Sequence, residues 1–82
     1  MALFIDSHKA SEIPEELKGR IEARIKEGRP DEFGVVDRGV ILDRDEGRMY
    51  CVLEGPDEAA IRKHHDAAGV PLETVHKADA VL

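Results

Sequence analysis

Eighty-two residues, 41% of them apolar, provide interior for one core, so the chain is expected to form a single domain over residues 1–82. Twelve Lys and Arg against eighteen Asp and Glu leave a net charge of −6, which repels phosphate backbones and anionic head groups and argues against nucleic acid and membrane as partners. The longest apolar runs, Met1 to Ile5 and Met49 to Leu53, fall far short of the roughly 20 residues that cross a bilayer, and the chain opens without a basic leader, so a cytoplasmic protein is expected.

Cys51 is the single cysteine, which excludes a disulfide within the chain and any zinc site that needs several thiolates from one subunit. A domain this small buries limited apolar surface by itself, so a homodimer is expected.

Residues 2 to 8 read as a strand, with Leu3 and Ile5 on one face and Phe4, Asp6 and His8 on the other. Ser11 to Pro14 carry helix-start signals, and Glu15 and Glu16 place negative charge in the first turn. Ile13, Leu17, Ile21 and Ile25 then form one apolar stripe, and Gly28 and Pro30 end the helix. Phe33 to Leu42 reads as a long strand with a bulge at Gly39, followed by a polar loop over Asp43 to Gly47. Arg48 to Glu54 resumes as a strand with Met49, Cys51 and Leu53 opposite Tyr50, Val52 and Glu54. Asp57 is the expected N-cap of a second helix that stops at Gly69 and places Ile61, His65 and Ala68 on one face. Beyond Pro71, Leu72 to Leu82 reads as a last strand, in which Thr74, His76 and Ala78 alternate with Glu73, Val75 and Lys77.

The order strand, helix, strand, strand, helix, strand defines an α+β, ferredoxin-like βαββαβ sandwich. Two right-handed crossovers put both helices on one face of a four-stranded antiparallel sheet, with room for a short extra strand. The opposite face is left open for a second copy or a ligand.

Among the polar groups, Asp6 and His8 stand two apart on one strand face, roughly 7 Å along the backbone, as a metal-ligand pair, an acid/base pair or a solvated strand end. Glu54, beside the Gly55-Pro56 turn, is a helix cap or a ligand, and Cys51 reads as a small buried hydrophobe. His64 and His65 are consecutive on a helix and point about 100° apart, so one should face out while His65 lies near the apolar side. His76 belongs to the last strand and is expected at a sheet edge. Four histidines among many carboxylates suit borderline ions such as nickel, zinc or copper. No phosphate-cradling glycine loop and no Gly-x-Ser-x-Gly elbow is present, and Ser7 beside His8 is no triad because neighbouring strand residues point to opposite faces.

The stretch Phe4 to His8, the run Gly47 to Asp57, Ala60-Ile61 with His65, Gly69-x-Pro71 and Val75-His76 together resemble a family of small ferredoxin-like proteins, long a domain of unknown function, that includes dimeric bacterial nickel-binding proteins. The resemblance implies a homodimer that binds Ni(II) for sequestration or tolerance rather than an enzyme. Asp6, His8, Cys51, Glu54, His65 and His76 match the family pattern, and Asp6, His8, Glu54, His65 and His76 are the candidate metal ligands. Lys9 and Val70 stand where relatives often carry histidine, and His64 is an added one. The competing reading is a small-molecule binder or cofactor-free enzyme of the dimeric α+β barrel type. There Asp6, His8, Glu54 and His65 would be acid/base groups around a pocket at the open sheet face lined by Phe4, Tyr50 and Val52.

Overall fold

The computed structural model describes residues 1–81. Strand β1 (Ala2–Lys9) runs through a short 3-10 turn (Ala10–Glu12) into helix α1 (Glu15–Glu27). Strands β2 (Val36–Asp43) and β3 (Arg48–Gly55) form a hairpin, helix α2 (Glu58–Ala68) follows, and β4 (Thr74–Ala78) closes the sheet. The strand order is β2-β3-β1-β4, with every neighbouring pair antiparallel, which is the expected ferredoxin-like arrangement. Among the described residues the sheet has these four strands and no further one. The last strand is shorter than its sequence pattern, because its final partner on β1 is Leu3, opposite Ala78, and little of β1 remains beyond that pair. Leu82 lies outside the described residues.

Period-two alternation sorts the strands into two faces. Phe4, Asp6 and His8 of β1 face the helices with their cross-strand partners Leu53, Cys51 and Met49 of β3. The core consists of Phe4, Met49, Cys51 and Leu53 from the sheet, Ala60 and Ile61 from α2, and Ile13, Val35 and Val70 from the connections. The bulge falls between Asp37 and Gly39, as the glycine foretold. The extra residue, Arg38, lets Asp37 oppose Leu53 while Val40 opposes Cys51, so both remain on the helix side. Strand β2 starts at Val36 rather than Phe33, because Asp31 Oδ1 accepts the N–H groups of Phe33 and Val35 at 2.9 Å and holds that stretch in a turn, with Gly34 at φ 80°.

Helix α2 is fixed at both ends. Asp57 accepts the Ala60 N–H at 2.8 Å, and Gly69 adopts the left-handed conformation that ends the helix. Its inward face carries Ala60, Ile61, His64 and His65, whereas Ala68 is exposed. Helix α1 differs: its stripe of Leu17, Ile21 and Ile25 is only half-buried, and none of its residues is fully covered. Among the described residues no helix is long and apolar enough to cross a membrane. Because the Asp57 cap sets the start of the helix that carries His64 and His65, Asp57→Ala should lower stability by about 1 kcal/mol in urea unfolding, and Asp57→Ser should restore most of it.

Candidate metal centre

Alternation on β1 turns Asp6 and His8 inward together, and the central position of that strand buries them to 1% and 0% exposure. A carboxylate so deeply buried is costly unless its oxygens meet donors or cations. Oδ1 of Asp6 accepts the Cys51 N–H at 3.2 Å and lies 2.7 Å from His8 Nε2. Oδ2 lies 2.9 Å from Nε2 of His65, which reaches down from α2 one turn after Ile61. On their far sides, His8 Nδ1 donates to the Pro71 carbonyl and His65 Nδ1 to the Ile61 carbonyl, both at 2.8 Å. A carbonyl can only accept, so each Nδ1 carries a proton and each Nε2 is turned toward Asp6. The two rings stack with centroids 5.0 Å apart.

Each Nε2 turned toward Asp6 is a lone pair in the neutral ring, so the short approaches of His8 to Oδ1 and of His65 to Oδ2 need a proton or a cation between them; with the rings neutral, Asp6 Oδ2 and His8 Nε2 are buried without a partner. An oxygen of Asp6, a ring nitrogen of His8 and Cys51 Sγ lie within 4.8 Å of one another. The orphaned donor atoms and the mixed nitrogen, oxygen and sulfur set fit a borderline divalent ion.

The model of the SCO4226-like family, described as nickel responsive protein, matches residues 4–77. The chain belongs to this family. Among solved structures, the crystal structure of SCO4226 from Streptomyces coelicolor A3(2) superposes with a TM-score of 0.71 at 23% identity, covering 99% of this chain and 100% of that one. That likeness establishes a shared fold. No curated protein sequence matches the chain.

Electrostatics follow from the packing. Burial would raise the Asp6 carboxyl, but His65 and His8 against its two oxygens outweigh this and hold it at about 2. Burial would lower His8, but Asp6, the Pro71 carbonyl and Glu73 raise it above 6.5. The Cys51 thiol is pushed up by burial and by the charges of Asp6 and Asp37, so without an added cation it stays protonated.

Of the five candidate ligands, the fold brings together Asp6, His8 and His65. Glu54 and His76 stand apart from them. Glu54 pairs with Leu3 and His76 with Ile5 across the sheet, and Leu3 and Ile5 belong to the face away from the helices. Glu54 forms an ion pair with Arg38 at 3.0 Å, and His76 is exposed. The same alternation corrects the pocket expected at the open sheet face: Phe4, Asp6 and His8 lie beneath the helices, so they share no pocket with Tyr50 and Val52 there.

His64 corrects a second expectation. Both consecutive histidines are buried, at 7% and 5% exposure, because the segment leading into β2 and the start of β2 itself supply acids on the side where solvent was expected. His64 Nδ1 meets Asp31 Oδ2 at 2.5 Å, its Nε2 lies 3.5 Å from Asp37 Oδ1, and its ring stands edge-on to His65 at 5.2 Å. Burial opposes the charge on His64, but Asp37 and Asp31 raise its pKa. Burial likewise acts to raise Asp31, and His64 with the Val35 and Phe33 N–H groups brings it down. Sequence reading passed over Asp31 and Asp37; the available signals were Pro30-Asp31, which marks a turn, and the placement of Asp37 beside a bulge.

The raised His8 and His64 values mean that folding tightens proton binding, so their contribution to stability is fully present below pH 6.5 and fades as pH rises through the folded values. Asp6 acts in the opposite sense, and its contribution fades as pH falls from 3.8 toward about 2. Asp6→Asn in the metal-free chain should cost about 3–5 kcal/mol and lower the His8 pKa, read from imidazole resonances in an NMR titration. An unchanged His8 titration would contradict the coupling.

Proposed function

We propose that this protein binds a divalent transition-metal ion, Ni(II) before others, and holds it for sequestration or tolerance. The observation that carries this reading is the pair of buried atoms, Asp6 Oδ2 and His8 Nε2, left without a partner when the imidazoles are neutral, at the meeting point of Asp6, His8 and Cys51 with His65 against Asp6. Membership of a nickel responsive family supports nickel as the ion. Imidazole, carboxylate and thiolate donors from β1, β3 and α2 suit a borderline cation better than a hard one such as magnesium. The ion is cargo: it takes the place a proton would hold at His8 Nε2, displaces the proton of the Cys51 thiol, and cancels the charge of a carboxylate that is otherwise shared by two imidazoles.

The same reading takes the protein as a soluble homodimer. Ile5 and Ile41 are exposed on the open face of the sheet, beside Val52 and Tyr50, and a second copy would cover them.

Protons compete for the same atoms, and His8 binds its proton more tightly than a free imidazole. Nickel affinity should therefore fall by at least about tenfold between about pH 8 and about pH 6. Isothermal titration of the metal-free chain with Ni(II), Zn(II) and Cu(II) measures this. His8→Ala and Cys51→Ser should each weaken nickel uptake by at least about tenfold while the circular dichroism spectrum is kept, and His76→Ala should leave it unchanged. Undiminished uptake in Cys51→Ser and His8→Ala would remove the buried cluster as the site.

A further inference from the structure

Between α1, α2 and the loop that joins α1 to β2 lies a cavity of about 380 Å³, whose inner end abuts His8, Cys51 and His65. That volume falls within the roughly 300–1,000 Å³ of small-molecule pockets. Its outer part is built differently from the metal cluster. Leu17, Ile21, Phe33 and Val70 supply apolar wall, and Arg20 and Arg24 stand on the same wall one helical turn apart.

Two features remain unexplained by metal binding. The first is the part of the α1 stripe formed by Leu17 and Ile21, which faces the cavity and stays half-covered although the sheet lies beneath it. The second is the arginine pair. Like charges four residues apart on a helix repel each other, and among the described residues neither guanidinium enters an ion pair. Two of the acids opposite are already occupied: Asp31 by the Phe33 and Val35 N–H groups and by His64, Asp37 by the other nitrogen of His64. Glu32, the third, is exposed as the arginines are, and among the described residues it forms no ion pair with them. The cavity thus combines an apolar body with two guanidinium groups that stand outside any ion pair at one side, and the planar fork of arginine is suited to a carboxylate.

We propose that this cavity binds a small organic carboxylate, its acid group held by Arg20 and Arg24 and its apolar body laid against Leu17, Ile21 and Phe33. The ligand covers Leu17 and Ile21 and relieves the repulsion between the arginines. The site goes beyond nickel binding and does not depend on it.

Benzoate serves as the probe, with benzamide as its neutral counterpart, and the readout is the amide NMR spectrum of the full chain freed of metal. Benzoate should produce saturable shifts at Leu17, Ile21, Phe33 and Val70. The double substitution Arg20→Gln, Arg24→Gln removes two exposed charges that hold nothing else in place, and it should weaken binding by at least about tenfold with the rest of the spectrum unchanged. Benzamide should be weaker by a similar factor. Absence of saturable shifts at those four residues, or equal affinity for benzoate in the double variant, would overturn the proposal.

Discussion

A carboxylate with 1% exposure has to be compensated on the spot, and the arrangement around Asp6 is organised by that need. Its two oxygens face imidazoles from different parts of the chain, and each imidazole is anchored at the back by a carbonyl. The Pro71 carbonyl ties His8 to the segment leading into β4, and the Ile61 carbonyl ties His65 to its own helix. One buried charge thereby joins β1, β3, α2 and the α2–β4 connection. Hydrophobic contacts from Phe4, Leu53 and Ile61 supply the bulk of the packing, while the polar cluster fixes how α2 sits over the sheet.

A second polar unit stands beside the first with its signs reversed. There two carboxylates flank one imidazole, His64, where at Asp6 two imidazoles flank one carboxylate. The edge-on contact of His64 with His65 places the two units side by side. Helix α1 takes no part in either, which is consistent with its half-buried stripe and with the cavity beneath it.

Much of this was legible in the sequence. Alternation alone put Asp6 and His8 on the face of Phe4, and the helix caps at Asp57 and Gly69 were readable residue by residue. The same alternation separated Glu54 from Cys51 on β3, so the placement of Glu54 away from Asp6 follows once the register Asp6 to Cys51 is known. That register is a long-range property and local patterns do not encode it. His76 was misjoined for the same reason, since only its pairing with Ile5 reveals its face. His64 failed differently. The 100° rule described the helix correctly, but whether its second side meets water depends on a loop some thirty residues earlier in the chain, which Asp31 folds over α2 by accepting two backbone N–H groups.

The most direct test of metal capture at the buried cluster is a crystal structure of the nickel-loaded protein with anomalous diffraction collected at the nickel edge. The expected result is an anomalous peak between Asp6, His8, His65 and Cys51. A peak only at the exposed His76 or beside Glu54 on the open face, with the Asp6 cluster unoccupied, would contradict it.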